Sequence, residues 1–278
     1  MKSKTSIVVW VVALVVIALI IIGAWFVRHG AHAPASRPAS AVTAAAPASA
    51  PAIQHPIAQA ASTPASASSV PLPTLDESDE SVTAALARLG GGAPIGKLLA
   101  NRHIIQRIVA TVDALPRHEL GRNILPLNPP AGDFVTTDAN GQLVLASSDF
   151  ARYDPYMQWA RQADVSQLVA WYVHAYPLFQ QAYRELGYPH GYFNDRLVAV
   201  IDHLLKAPEP QGPIALVKTD KGYAFADPAL EGLSAGQKLM VRVGPANEKL
   251  IKQKLRAVRA AVTGEHGPEH GPAASSSE

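Results

Sequence analysis

The chain has 278 residues, enough for one or two domains, and its 24 Lys and Arg against 22 Asp and Glu leave a net charge of +2. A charge this small gives no reason to expect nucleic acid as a partner. The absence of cysteine excludes disulfides and thiolate metal sites, and it suits an oxidising compartment.

The N-terminus joins a short basic segment to a long apolar one. Residues 1–6 carry Lys2 and Lys4, and residues 7–27 (IVVWVVALVVIALIIIGAWFV) contain no charge. A helix of this length spans about 30 Å, the thickness of a bilayer's hydrocarbon layer. The alternative, a cleaved signal peptide, usually has only about 7–15 apolar residues. The pattern predicts an uncleaved transmembrane helix over residues 7–27, with residues 1–6 in the cytoplasm and the membrane as a partner.

Residues 28–73 consist almost entirely of Ala, Pro and Ser, and Arg37 is the only Lys, Arg, Asp or Glu within residues 31–73. Such a segment cannot bury enough apolar area to fold, and its prolines keep it extended. It is predicted to be a disordered linker. An N-terminal anchor followed by such a linker is typical of proteins held at the bacterial inner membrane. We therefore expect a single-pass protein with a periplasmic C-terminal domain.

Residues 74–263 have the patterns of a mainly α-helical domain with two short β-hairpins. Apolar residues at helical spacing predict helices over residues 75–89 and 98–115. Asn140-Gly141 lies within a segment of alternating polarity and predicts the first hairpin. The second is predicted to pair residues 214–217 with residues 223–225.

The central stretch, residues 149–207, holds 12 of the 18 aromatic residues. It predicts successive amphipathic helices, the longest capped by Asp164, with Gln167 at the third helical position. Pro177 lies in the middle of that helix and is expected to kink or split it. The default interpretation of the aromatic residues is core packing; the alternative is a groove for glycan or peptide.

The C-terminal part predicts a capped helix beginning after Ser234 and a last helix over residues 245–262, followed by a disordered tail at residues 264–278. Four basic residues of the last helix recur on one face and form a possible anionic-partner face: Lys249, Lys252, Arg256 and Arg259. Such a face can dock on lipid headgroups, an envelope polymer or an acidic protein. The alternative is a solvated face without a partner.

Three blocks carry a resemblance to a known family: PLFQQAYRELGY at residues 177–188, YFNDRLVAVIDHLL at residues 192–205 and LSAGQKLMVRVG at residues 233–244. Over roughly residues 71–262 the chain resembles a bacterial membrane-anchored family described only as a domain of unknown function (domain of unknown function 3014). Its members share the layout of one N-terminal span, a Pro/Ala-rich linker and this domain. The resemblance implies an envelope location and implies no catalytic residue.

Candidate chemistry is sparse. Asp195 and Asp202 lie seven residues apart on a predicted helix, beside Arg196 and His203, and form a weak polar cluster that could exchange protons or bind a metal. A solvated face or ion pairs among these residues is the simpler interpretation. The sequence Gly91–Lys97 fits G-x-x-x-x-G-K but lacks the Ser or Thr that a P-loop needs next. We therefore predict no cofactor, no metal and no assigned catalytic residue.

These patterns favour a non-catalytic binding or scaffolding module of the cell envelope with an envelope polymer or protein as partner. Two alternatives remain open. One is an envelope hydrolase or lyase that uses the acidic residues of the central helices. The other is a structural spacer, in which the linker matters more than the domain.

Overall fold

The computed structural model describes residues 52–60, 71–92, 95–220 and 222–265. The predicted transmembrane helix at residues 7–27, most of the predicted linker and nearly all of the C-terminal tail lie outside these ranges. Within them, no helix combines the length and the apolar character needed to cross a bilayer.

The prediction of a mainly helical domain with two short hairpins is confirmed. The helices of the described ranges are α1 (Ile57–Ala60), α2 (Asp79–Leu89), α3 (Ile104–Ala114), α4 (Asp154–Gln162), α5 (Val165–Glu185), α6 (Phe193–Leu205), α7 (Pro228–Glu231), α8 (Ala235–Arg242) and α9 (Pro245–Thr263). The strands are β1 (Thr136–Ala139), β2 (Gln142–Leu145), β3 (Leu216–Thr219) and β4 (Gly222–Phe225).

The main core lies where α5 packs against α3, α6 and α9. Its largest buried side chains are aromatic and come from the stretch that the sequence singled out: Trp159, Tyr172, Phe179 and Phe193. The rings of Phe179 and Phe193 stack with their centroids 5.6 Å apart, and Tyr172 meets Phe179 edge to face. These rings therefore build the core, as the default interpretation had it.

The two hairpins lie side by side over a smaller apolar cluster. In β1–β2 the register pairs Ala139 with Gln142, so Asn140 and Gly141 form the two-residue turn, with φ of 57° and 78°. In β3–β4 Leu216 pairs with Phe225. The first strand lies two residues later than predicted, and the second begins one residue earlier and ends at Phe225 as predicted. The Leu145 N–H donates to the Ile214 carbonyl over 2.9 Å and links β2 to the second hairpin.

Helices α2 and α4 meet at a close contact of a glycine with a tryptophan. Trp159 is fully buried, and its Nε1 donates to the Leu86 carbonyl over 2.9 Å. Gly90, which follows α2, lies so close to the indole that a Cβ atom there would be 2.0 Å from Cδ1 and Nε1. A glycine is therefore required at this point.

Two helix predictions need correction. Pro177 does not split α5, which continues from Val165 to Glu185 with buried residues on both sides of it. That burial offsets the one backbone hydrogen bond that a helical proline forfeits. The helix predicted from residue 98 begins only at Ile104, because Leu98 and Ala100 bond through their backbones to Asn128 and Pro126.

The predicted linker also needs correction at one place. Residues 52–60 are not disordered: they lie on the domain, where α1 packs against α5 and α9. Ala60 is buried, and Ile57 packs on the main core. Composition alone cannot show this, because the partners of the segment lie more than 100 residues further along the chain.

Candidate functional site

The four residues of the anionic-partner face have different surroundings on α9. Lys249 and Arg256 are exposed, whereas Lys252 is buried and Arg259 is half-buried. Arg259 Nε lies 2.7 Å from an oxygen of Asp202, and its Nη1 lies 2.6 Å from Glu265. The positive charge that this face offers to solvent therefore comes mainly from Lys249 and Arg256, two helical turns apart.

Lys252, itself buried, is the centre of an ionic cluster. Its Nζ donates to the Ala207 carbonyl over 2.6 Å and pairs with Glu209 at 2.7 Å and Glu248 at 3.0 Å. Burial raises the pKa of Glu248 to about 7, against the effect of the Lys252 ammonium. The hydrogen bond from Lys252 lowers the pKa of Glu209, which lies at the surface. The cluster fastens α9 to the segment after α6.

A second buried charge on α9 faces the start of α5. Burial lowers the pKa of Lys254 to about 7, and the nearby Asp164 carboxylate acts in the opposite direction. Asp164 accepts a hydrogen bond from the Gln167 backbone N–H, as the predicted cap requires, and burial raises its pKa.

The predicted polar cluster on α6 is not one site, because its members turn to four different partners. Arg196 pairs with Asp113 on α3, its Nε 3.0 Å from Oδ1. Asp202 pairs with Arg259, and His203 shares a 2.8 Å hydrogen bond with the Ser234 hydroxyl. Burial, followed by the charges of Lys206 and Arg196, lowers the pKa of His203. Asp195 faces the chain's own linker.

Asp195 and its neighbour Asn194 hold the linker segment by its backbone. The two Asp195 oxygens accept from the backbone N–H groups of Gln54 and His55 over 3.0 and 2.6 Å. Asn194 donates from Nδ2 to the His55 carbonyl over 2.8 Å and to the Val262 carbonyl over 3.2 Å. One pair of side chains thus holds three backbone groups of residues 54–55.

The sequence reasoning missed an ionic junction at Asp113. This carboxylate is 2% exposed and pairs with Arg196 and Arg117, and it accepts from the Tyr188 hydroxyl at 3.2 Å. Asp113 lies among the apolar residues that predict the buried face of its helix. An acidic residue in that position is the one sequence signal that could have indicated the junction. The junction ties α3 to α6 and to the turn after α5.

A buried arginine, also missed, lies beneath the hairpins. The Arg242 guanidinium lies 4.7 Å from the centroid of the Phe225 ring, and its Nη2 donates to the Tyr223 carbonyl over 3.1 Å. Burial lowers the pKa of Arg242 to about 10. This arginine connects α8 to β4 and has a structural role.

The described residues contain no group of three or more His, Asp or Glu side chains placed to hold a metal ion. Of the sequence resembling a P-loop, residues 91–92 and 95–97 are described. Ile95–Lys97 form a single 3-10 turn there, preceded by α2 rather than by a strand.

Together, the fold and these contacts define a class of protein: a mainly helical domain with two hairpins, which binds a segment of its own predicted linker. The profile of a family described as "Protein of unknown function (DUF3014)" matches residues 104–259, more than half of the chain, and the protein belongs to this family. The resemblance of its three sequence blocks is thereby confirmed. The comparisons found no matching curated protein and no matching solved structure.

The family match runs from the first residue of α3 into α9. It includes Asn194 and Asp195, which hold the linker segment, and it does not include residues 52–60. The surface that holds the segment is therefore mostly built by the family domain, whereas the segment lies outside the matched region.

Proposed function

We propose that this protein is a non-catalytic binding or scaffolding module of the bacterial cell envelope. In this proposal, residues 7–27 anchor it in the inner membrane, and the domain lies in the periplasm. One observation carries the binding role. The domain holds a peptide segment, residues 52–60: Asp195 accepts hydrogen bonds from two of its backbone N–H groups, and Asn194 donates one to a backbone carbonyl.

Backbone contacts of this kind favour binding over hydrolysis. A hydrolase or lyase on α6 would need an acid or base within reach of a substrate. Asp195 instead caps two peptide N–H groups of the linker segment, and Asp202 pairs with Arg259. The contacts therefore support the binding module over the enzyme alternative.

The sequence of residues 7–27 supports the anchor. The contacts of residues 52–60 with the domain support a shorter free tether than the whole predicted linker. With residues 52–60 held on the domain, residues 28–51 connect the predicted transmembrane helix to it. We expect the full-length protein to sediment with membranes. A reporter fused to the C-terminus should be active only in the periplasm, and a cytoplasmic signal would refute the topology.

The exposed part of the basic face supports an anionic partner. Lys249 and Arg256 are both exposed and lie about 10 Å apart along α9. The proposed partner is an acidic envelope polymer or an acidic envelope protein. Its contact with two exposed charges should weaken as salt rises.

The decisive experiment is crosslinking followed by purification of the full-length protein from bacterial membranes. The variant Lys249→Glu/Arg256→Glu should lose the captured partner, whereas Arg88→Glu/Arg161→Glu, which reverses two exposed charges on α2 and α4, should retain it. Equal capture by both variants would remove the basic face from the proposal.

A domain exchange separates the module from the spacer alternative. Residues 74–263 are replaced by an unrelated periplasmic domain of similar size, with the anchor and linker kept. A binding module predicts that the crosslinked partner disappears after the exchange. Full retention of the partner and of the cellular phenotype would favour the spacer.

A further inference from the structure

The surface formed by α5, α6 and α9 under residues 52–60, hereafter the linker groove, has the features of a prepared binding site. Asn194 is fully buried and held from two further directions. Its Oδ1 accepts from the Tyr172 hydroxyl over 3.2 Å, and its Nδ2 also donates to the Val262 carbonyl. Because domain residues hold this amide, its orientation does not depend on the segment alone.

The segment contributes backbone groups first and apolar side chains second. Gln54 and His55 supply the N–H groups and the carbonyl that Asp195 and Asn194 hold. Pro56 then begins a helical turn, with the Gln59 N–H donating to the Pro56 carbonyl over 2.9 Å. This turn places Ile57 against the core and buries Ala60.

The far end of the groove also requires a close backbone approach. Gly264, with φ of 71°, follows α9, and a Cβ atom there would be 3.1 Å from the Gln59 carbonyl oxygen. The segment is thus held at both ends, by Asp195 near Gln54 and by the chain around Gly264 near Gln59. A ligand of the same length and backbone path fits the same contacts.

This recognition differs from ordinary helix capping within a folded domain. Asp79 makes similar contacts with the N–H groups of His103 and Ile104, but it joins two elements of one continuous body. The segment at Asp195 instead precedes the ten residues 61–70 and the body that begins at Pro71. A segment tethered in this way competes with free peptide for the groove, and its own effective concentration there is on the order of millimolar.

We propose that the linker groove is a peptide-recognition site that residues 52–60 fill in the resting chain and that a partner's peptide takes by displacing them. The ligand class is an Ala-containing peptide with a single proline, like residues 52–60 themselves. It offers two consecutive N–H groups and then a proline-initiated turn with an apolar residue at its start and a small one three positions later. This inference rests on the proposed binding function and names the type of ligand and its competitor within the chain.

The first test measures the docking in the full-length protein by hydrogen exchange. The backbone amides of Gln54 and His55 should be protected, and Asp195→Ala should raise their exchange to the rate of an unstructured peptide. Asp227→Ala removes a helix cap on α7, where Asp227 accepts from the Ala229 N–H, and serves as the matched control. Protection unchanged in Asp195→Ala would overturn the proposal.

The second test opens the groove without altering it. In the full-length variant Ile57→Glu/Ala60→Glu, only the segment is changed. A fluorescent, acetylated and amidated peptide of residues 52–60 should bind this variant about tenfold or more tightly than the wild type, because the segment occupies the groove most of the time in the wild type. Adding Asp195→Ala to the variant, or N-methylating His55 in the peptide, should abolish binding.

The outcomes distinguish this inference from the function on which it rests. The linker groove is not an exchangeable site if the peptide binds the wild type and the opened variant equally well, or binds neither. Either result leaves the basic-face proposal untouched, because that proposal depends on capture of a partner through Lys249 and Arg256. Protection of residues 54 and 55 that rises with protein concentration would assign the segment to a second copy and would overturn the assignment within one chain.

Discussion

The contact of Gly90 with Trp159 offers a sharp test of the packing. Gly90→Ala would place a Cβ atom 2.0 Å from Cδ1 and Nε1 of the indole, where carbon atoms in contact prefer about 3.5–4.0 Å. Gly90 has φ of −87° and ψ of 20°, so alanine meets no backbone penalty there and the cost is steric. The indole must move by about 1.5 Å to restore the preferred contact distance.

The expected cost has two parts. Overpacking a full core costs about 1–3 kcal/mol. Moving the indole also breaks its buried hydrogen bond to the Leu86 carbonyl, which costs about 1–3 kcal/mol. Replacing glycine by alanine returns up to about 1 kcal/mol through the unfolded chain. The net loss is therefore about 1–6 kcal/mol, against the ~5–15 kcal/mol that stabilises a typical domain.

Urea unfolding of the full-length protein in detergent, followed by near-UV circular dichroism, measures this loss. Gly96→Ala is the control, because its Cβ would meet only the Thr83 methyl group at 3.7 Å and should change stability by less than about 0.5 kcal/mol. In a Trp159→Phe background, Gly90→Ala should cost less, since the five-membered ring that it meets is gone. A loss at Gly90 no larger than at Gly96 would refute the packing argument.

Three further predictions concern buried charge and backbone strain. The pKa of about 7 for Glu248 in the folded state lies above its usual value, so the folded protein binds this proton more tightly and loses stability as the pH rises from about 4.5 to 7. Glu248→Gln should remove this loss of up to about 3 kcal/mol, as urea titrations at pH 5 and pH 7.5 would show; parallel pH profiles for both proteins would contradict it. Asp113→Ala should cost about 3 kcal/mol in urea unfolding, because it removes the carboxylate that two arginines share. The control is Asp138→Ala, an exposed position of β1 beside the hairpin turn, and an equal cost for both variants would refute the junction. Asn140→Ala should lower the melting temperature by an amount that corresponds to about 1 kcal/mol, because Asn140 has a φ of 57°. Asn140→Gly should melt close to the wild type, and equal melting temperatures of the Ala and Gly variants would contradict the turn geometry.

Local patterns were sufficient to predict most of the helices. The apolar face of α9 is buried as its spacing indicates, at Ile251, Leu255, Val258 and Val262. The Asp164 cap and the Asn140-Gly141 turn also act as predicted, because each depends on residues within four positions along the chain. Short-range hydrogen bonding and helical spacing are the parts of folding that a sequence states directly.

Side-chain roles were harder to predict because they depend on distant partners. Lys252 has the same spacing as Lys249 and Arg256, yet Ala207, 45 residues away, and the two glutamates bury it. Asp195 binds the backbone of Gln54 and His55, which lie 141 and 140 positions earlier in the chain. The composition of that segment predicts disorder. No periodicity in α6 distinguishes an acid that binds a backbone from one that faces water.

The Asn194 amide touches both the incoming and the outgoing chain, since Nδ2 donates to the carbonyls of His55 and Val262. The chain therefore enters the folded domain near His55 and leaves it near Val262, at the same end. A short bridge between the two ends, with new termini opened at the Asn140-Gly141 turn, should give a circular permutant that keeps the same body. Any cargo added after α9 would emerge beside the tether rather than at the opposite end.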